Sequence, residues 1–243
     1  MKIALIGYGK MGKEIEKIAL ERNHDIGLKI TANNLEDFTV ENLKKCDVAI
    51  DFSLPTSAVS NIQACFNAGT PVVVGTTGWY DSFEKISSLC ADKKGGLFYA
   101  TNFSVGVNLF FKMNAIVAKM MNNHREYDVK MEEIHHLQKL DHPSGTGITL
   151  AEKIIEQHDS KAEWIGSLEE EKITPLSNQL HIKALREHNV PGTHSVSYTS
   201  EIDTITLTHE AHSRKGFAMG AVLAAEFMPH KNGIFNMNDL LNL

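Results

Sequence analysis

Lys2-Ile3-Ala4-Leu5-Ile6 is a short, nearly unbroken apolar run, the pattern of a strand covered on both faces, and it stops at Gly7-Tyr8-Gly9-Lys10-Met11-Gly12. Behind the glycines, Met11, Ile15, Ile18 and Ala19 recur at the spacing of one helix face. The alternation then repeats. Strands are expected over His24 to Ile30, Asp47 to Ser53, Thr70 to Val74 and Gly96 to Ala100. Helices are expected over Ser57 to Ala68, with Val59, Ile62, Cys65 and Phe66 inward, and over Asp81 to Ala91. Strands alternating with helices predict an α/β fold built on a doubly wound parallel sheet.

After residue 104 the texture changes. Val107, Phe110, Phe111, Asn114, Val117, Ala118 and Met121 predict a long helix whose aromatic stripe faces a core. Tyr127 to Glu133 alternates as a half-exposed strand does and leads into a loop that begins at His135. Ile148, Ala151, Ile154 and Ile155 mark a helix opening at Gly145, with Ser144 as its N-cap. Further alternating runs, Leu180 to Leu185, His194 to Tyr198 and Ile202 to Thr208, predict a second, α+β domain. Its mixed or antiparallel sheet would be covered on one face and free to meet a neighbouring subunit with the other. Gly216 to Ala225 is a helix of small apolar residues suited to packing back on the first domain, Lys231 to Leu243 a short tail, and Glu169-Glu170-Glu171 a solvated helix face. Residues 1–104 with 216–243 are thus expected to bind a dinucleotide, and 105–215 to bind substrate and support assembly.

Composition narrows the function. A formal net charge of -6 and the lack of any lysine/arginine run argue against nucleic acid as a partner. Cys46, Cys65 and Cys90 lack metal-ligand spacing, so neither a disulfide nor a metal centre is expected. No signal peptide or membrane span is visible, which points to the cytoplasm.

The candidate chemistry falls into two groups. Gly7, Gly9 and Gly12 form G-x-G-x-x-G between a strand and a helix, where a dinucleotide fingerprint of the Rossmann type belongs. Thr31-Ala32-Asn33-Asn34 stands where an acidic ribose anchor is expected; a 2′-phosphate is therefore not repelled, and Lys10 is a candidate partner for it. NADPH is favoured on this ground, with NADH also admitted. A second glycine loop, Gly75-Thr76-Thr77-Gly78, follows the fourth strand at the sheet edge where ligands bind. The other group is His135-His136-x-x-Lys139, followed by Pro143-Ser144-Gly145-Thr146. Histidine exchanges protons near neutrality, lysine holds anions, and a helix N-terminus offers unpaired amides. An anionic substrate, a carboxylate clamped between Lys139 and the Gly145/Thr146 amides, is the expectation.

With these residues in place, the chain resembles the 4-hydroxy-tetrahydrodipicolinate reductase (dihydrodipicolinate reductase) family over nearly its whole length. The resemblance rests on His135-His136-x-x-Lys139-x-Asp141-x-Pro143-Ser144-Gly145-Thr146, supported by Gly7 to Gly12, Gly75-Thr76-Thr77, Ala100-Thr101-Asn102-Phe103, Gly192-x-His194 and His209-x-Ala211-x-Ser213-Arg214 with Phe217-Ala218-x-Gly220-Ala221. It implies reduction of a cyclic dicarboxylate by NADPH or NADH in diaminopimelate and lysine biosynthesis, by a homotetramer; the domain layout itself, with cofactor and substrate on different domains, predicts closure on a hinge near Ser104 and Lys215. Carried over by position, His135 is the proton donor and Lys139 the second catalytic residue. His136, Gly145 and Thr146 contact substrate. The cofactor is lined by Gly7, Tyr8, Gly9, Lys10, Met11, Gly12, Gly75, Thr76, Thr77, Ala100, Thr101, Asn102 and Phe103. Two positions depart from the family pattern: His142 replaces the usual alanine, and the second strand lacks the usual terminal acid. Two rival readings remain at this point, a different nicotinamide oxidoreductase of the same plan and a cofactor-sensing protein without catalysis.

Overall fold

Strands that must bury both faces carry apolar residues on both, and β1 (Lys2–Ile6) does so after its exposed first residue: Ile3 and Leu5 enter one core, Ala4 and Ile6 the other. The structure, a computed structural model, describes residues 1–213 and 215–243; Arg214, the last residue of the His209 motif, lies outside the described residues. Two units make up the chain, Met1–Val105 with Lys215–Leu243, and Gly106–Arg214.

In the first unit β1 is followed by α1 (Lys10–Glu21), β2 (Asp25–Ile30), α2 (Val40–Leu43), β3 (Val48–Asp51), α3 (Pro55–Ala68), β4 (Val72–Val74), α4 (Phe83–Lys93) and β5 (Gly96–Tyr99). The second unit is formed largely by α5 (Val105–Met121), β6 (Asp128–His136), α6 (Gly145–Ile155), β7 (Glu163–Leu168), β8 (Gln179–Glu187), β9 (Gly192–Thr199) and β10 (Thr204–Ala211). The chain then returns to the first unit with α7 (Lys215–Phe227), β11 (Gly233–Phe235) and α8 (Met237–Leu241).

The first sheet is parallel throughout, in the order β11-β5-β4-β3-β1-β2. The chain goes from β1 to one side and then to β3 on the other, so the sheet has its topological switch point between β1 and β3. Helix α7 lies against one face through Ala218, Ala221, Val222 and Ala225, and α3 covers the other through Ile62, Cys65 and Phe66.

The C-terminal tail is not an appendage. β11 pairs with β5 as the sixth strand, and α8 is closed by a capping box in which the Asn236 side chain accepts from Asn238 N at 2.8 Å while Asp239 accepts from Asn236 N at 2.8 Å. Too short to show a period, these segments are ordered by a neighbour more than 130 residues earlier in the chain. The strand β7 escaped pattern reading for a similar reason, and Glu169-Glu170-Glu171 stands in a turn, not on a helix, with Glu169 paired to Lys183 at 3.0 Å and Glu171 accepting from Leu168 N.

The second sheet is mixed, in the order β10-β9-β6-β8-β7; β6 is antiparallel to β9 and parallel to β8. Phe110, Phe111, Leu150 and Ile154 from α5 and α6 cover one face, meeting Val129, Met131, Ile182, Val196 and Tyr198. The other face is polar: Ser195 and Ser197 bond to Thr208 and Thr206 across β9 and β10, beside exposed Lys130 and Glu132. The strand β6 runs three residues further than the alternating pattern indicated, which removes His135 and His136 from the expected loop and makes them strand residues.

Met237 is 3% exposed and belongs to the core under α7. Met237→Ala is expected to lower stability by about 2–5 kcal/mol, the cost of truncating a buried methionine. Urea unfolding measures it, and a loss under about 0.5 kcal/mol, the range of a surface change, would return this segment to the status of a loose tail.

Candidate active site

In the first unit the site begins at the Gly7 turn. Gly7 has φ of 89°, and a Cβ there would strike the carbonyl oxygen of Phe52 at the end of β3, so the turn closes only with glycine. Gly9 is the N-cap of α1 and brings no capping side chain, which leaves the first amides of that helix facing outward. They border a crevice of about 470 Å³ lined by Gly9, Lys10, Met11, Phe52, Ser53, Pro55, Gly75, Thr76 and Thr77. An uncapped helix N-terminus beside a glycine turn at the switch point fits the pyrophosphate of a dinucleotide.

A buried carboxylate holds the far wall of this crevice. Asp51 accepts from Ser53 N at 2.9 Å, Thr76 Oγ1 at 3.1 Å and Asn61 Nδ2 at 3.1 Å, and its backbone oxygen accepts from Gly75 N at 2.9 Å. Burial pushes its pKa up, and the donors oppose that shift. Trp79 Nε1 donates to Thr76 O at 2.9 Å and ties down the other side of the loop. At the end of β5, Ala100 and Phe103 are buried, Phe103 with its ring against Phe52 and Phe98, while Thr101 is exposed and Asn102 Oδ1 accepts from Ser104 N. Tyr8 turns its hydroxyl to Glu16, which also pairs with Lys29 at 2.5 Å. No acid ends β2, but the turn that follows brings one back: Asn34 Nδ2 bonds to Asp37 Oδ2 at 3.1 Å while Asn34 Oδ1 accepts from Thr31 N and Oγ1.

In the second unit the covered face of β6 carries Val129, Met131, Glu133 and His135, apolar first and ionisable at the end. Successive strand residues point to opposite faces, so His136 faces away from His135. Register sets Glu133 opposite His194 on β9 and His135 opposite Arg186 on β8. Glu133 is 1% exposed, His135 7% and His194 5%.

The Glu133 carboxylate accepts from Ser144 N at 2.9 and 3.1 Å and from Ser144 Oγ at 2.5 Å. Ser144 is the N-cap of α6, its Oγ also accepting from Gly147 N at 3.0 Å, and it stands 3.1 Å from His194 Nε2. A Cβ on Gly147 would meet Glu133 Oε2 at 2.5 Å, so the helix start approaches this closely only because it carries glycine. Gly145, by contrast, has open space where a Cβ would stand.

Lys139 Nζ bonds both oxygens of Asp141 at 2.9 Å, and Arg186 pins the same loop by donating to Lys139 O at 3.2 Å and Asp141 O at 2.8 Å. Lys139 in turn holds the Asp141 carboxyl below its usual range. His142 joins Pro143 through a cis peptide. Burial above all, then the charges of Lys139 and Arg186, lowers His135 to about 4. His194 is lowered to about 3 by burial, then by His135, His209 and Lys139. Both rings are neutral at pH 7. They meet edge to face, 5.1 Å between centroids.

Pattern reading therefore brought His135, Lys139 and the α6 N-terminus to one place. It did not find Glu133, Arg186 or the role of Ser144 beyond capping, and it gave His194 no role. The signal for Glu133 was in the β6 alternation, which sets it in phase with Val129 and Met131.

The comparisons with known proteins agree over the whole chain. The family model described as dihydrodipicolinate reductase, N-terminus, matches residues 1–103, and the one described as dihydrodipicolinate reductase, C-terminus, matches residues 106–241. The 4-hydroxy-tetrahydrodipicolinate reductase of Christiangramia forsetii is 49% identical over 100% of this chain and 98% of its own length. That of Methanococcoides burtonii is 34% identical over 95% and 85%. Among solved structures, the dipicolinate-bound dihydrodipicolinate reductase from Paenisporosarcina sp. TG-14 superimposes with a TM-score of 0.80 at 23% identity, covering 98% of each chain, and shows the same fold.

Two buried neutral imidazoles make stability depend on pH. Their folded pKa values, about 4 and about 3, lie below the unfolded value, so their contribution is fully present above the unfolded pKa and is lost as pH falls towards them. For His135 alone the loss is on the order of 3 kcal/mol. Urea midpoints should fall between pH 7 and pH 4.5, and the double variant His135→Gln/His194→Gln should show a flatter profile; an unchanged slope would mean that these rings are not buried neutral.

Proposed function

Because this chain belongs to the dihydrodipicolinate reductase family, we infer that it reduces 4-hydroxy-tetrahydrodipicolinate, by way of dihydrodipicolinate, to tetrahydrodipicolinate, an NAD(P)H-dependent step of diaminopimelate and lysine biosynthesis. The observation that carries the chemistry is the setting of His135, a buried imidazole next to the cation of Lys139 on the covered face of the second sheet. A proton donor beside an anion holder is what reduction of an unsaturated ring dicarboxylate requires.

The first unit receives the nicotinamide dinucleotide at the uncapped N-terminus of α1, with Gly75, Thr76 and Thr77 forming the opposite wall, held from beneath by Asp51 and Trp79. When bound, the reduced cofactor supplies a hydride. In the second unit Lys139 takes a substrate carboxylate, exchanging part of its pairing with Asp141 for the ligand, and the Gly145 and Thr146 amides at the head of α6 hold the anion from the other side. Arg186 keeps the loop in register through two of its carbonyls. His135 gives its proton to the ring carbon next to the one reduced. The anionic ligand itself favours the charged imidazole by offsetting the cations that hold it neutral, so binding and proton uptake are coupled. His136, on the opposite face of β6, serves the substrate side as well in this reading, and Ala100 to Phe103 shape the cofactor side.

NADPH is the favoured cofactor, supported by the uncharged Thr31 and Asn33 at the end of β2 and the exposed Lys10, with Asp37 as the group that opposes a 2′-phosphate. The polar, uncovered face of the second sheet supports assembly into a homotetramer. Residues 1–104 with 216–243 bind cofactor, and 105–215 bind substrate and assemble. Three buried, unpaired thiols suit the reducing cytoplasm, and among the described residues no helix is long and apolar enough to cross a membrane.

His135→Gln should lower kcat by about 10² to 10⁴, the usual worth of a positioned general acid, and Lys139→Ala should raise KM for the ring substrate. Oxidation of NADPH and of NADH with freshly generated substrate measures both effects. Turnover by His135→Gln within about tenfold of wild type would remove His135 as the acid, and a kcat/KM ratio favouring NADH would reverse the cofactor preference.

A further inference from the structure

We propose that Glu133 is the positioning residue for the proton donor: its buried carboxylate receives the Nδ1–H of His135 when that ring is charged, so that Nε2 carries the proton delivered to substrate. This inference rests on His135 as the acid.

His135 Nδ1 is buried and without a hydrogen-bond partner, 3.9 Å from Glu133 Oε1. The other atoms of the cluster are already assigned. Ser144 Oγ has one hydrogen and two lone pairs. Its hydrogen goes to Glu133, whose short 2.5 Å contact is that of a charge-assisted bond, and one lone pair accepts from Gly147 N. The remaining lone pair takes the proton of His194 Nε2 at 3.1 Å, which fixes the tautomer of His194 and makes it a donor. Glu133 Oε2 is filled by Ser144, and Oε1 retains a free lone pair beside His135 Nδ1. Glu133, His135 and His194 also bring donor atoms within 4.8 Å of one another, as a metal site does. Ser144 Oγ bridges Glu133 and His194 within this cluster.

The charges facing His135 act in opposite senses. Lys139 and Arg186 disfavour the imidazolium, Asp141 favours it, and His136 and His194 are neighbouring rings, with His209 facing His194 from β10. Ligand carboxylates engage Lys139. They leave Glu133, among the described residues, as the buried carboxylate within reach of Nδ1, and closing 3.9 Å to about 2.8 Å makes a charge-assisted hydrogen bond. The opposite edge of the ring is clear because Gly192 stands there: a Cβ at that residue would lie 3.1 Å from His135 Nε2. In the transfer the Nε2–H bond breaks, its electron pair stays on nitrogen, a C–H bond forms on the ring carbon, and His135 is left neutral with its proton on Nδ1 facing Glu133.

The test uses the full chain with pyridine-2,6-dicarboxylate as a stable dicarboxylate probe, and Glu133→Gln and Glu133→Asp beside His135→Gln. Imidazole NMR follows the titration of His135 in the probe complex, and kcat and KM are measured across pH. Glu133→Gln should lower the His135 pKa in the complex by about one unit or more, a tenfold change in the protonated fraction. Because the charged ring is the acid, the fall in kcat with rising pH should move to lower pH by the same amount, with KM for the substrate within about twofold. Glu133→Asp, which keeps the charge, should recover part of the shift. An unmoved titration, or a kcat loss that is the same at every pH, overturns the proposal. Should Glu133→Gln fail to fold, the wild-type complex decides: the His135 Nδ1–H must appear strongly downfield and protected from exchange, and its absence overturns the proposal. If His135→Gln keeps its turnover, the reading of His135 as the acid fails, whatever Glu133 does; if His135→Gln is inactive and the titration is indifferent to Glu133, only the pairing fails.

Discussion

A carboxylate taken out of water must be given hydrogen-bond donors, or it costs several kcal/mol. Glu133 obtains its donors from one residue, Ser144, through the backbone amide and the hydroxyl. That single pairing joins the end of β6 to the start of α6. It also decides which histidine shares its face: with Glu133 turned inward, strand alternation turns His135 inward and His136 outward. The serine that caps the helix is thus also the one that satisfies the buried charge, and neither role can be removed alone.

Around this pairing the electrostatics keep a buried imidazole neutral. Burial, Lys139 and Arg186 hold His135 neutral, which avoids placing an unmatched imidazolium next to two cations. In the proposed reaction the same cations would attract the anionic substrate, and once they were matched by carboxylates their hold on His135 would weaken.

The first unit solves a parallel problem by a parallel device. Asp51, also fully buried, collects Ser53, Asn61 and Thr76 as donors and so shapes the Gly75 loop from below. In both halves a carboxylate stands one layer behind the groups expected to touch a ligand, on the last turn of a strand where apolar residues give way to polar ones. Charge-assisted hydrogen bonds are directional, so they hold a loop in one shape in a way that apolar packing alone does not.

Local pattern determined a large part of this protein. The strand, glycine turn and helix at the N-terminus, the Ser144 cap and the helix from Gly145 are each set by residues within a few positions of one another, and the structure has them at those positions. The motif that carries His135, Lys139 and Gly145 is equally local, so family and reaction could be named from it. Tertiary structure decided what depends on register between distant strands. Glu133 meets His194 and His135 meets Arg186 because β6 pairs with β9 and β8, more than 40 residues away. The tail becomes a sixth strand because β5 offers it an edge. A one-residue slip in such a pairing would turn every side chain to the other face, and nothing within a short window of sequence fixes it. The chain alone could therefore nominate residues for the chemistry, and only the fold could say what holds them in place.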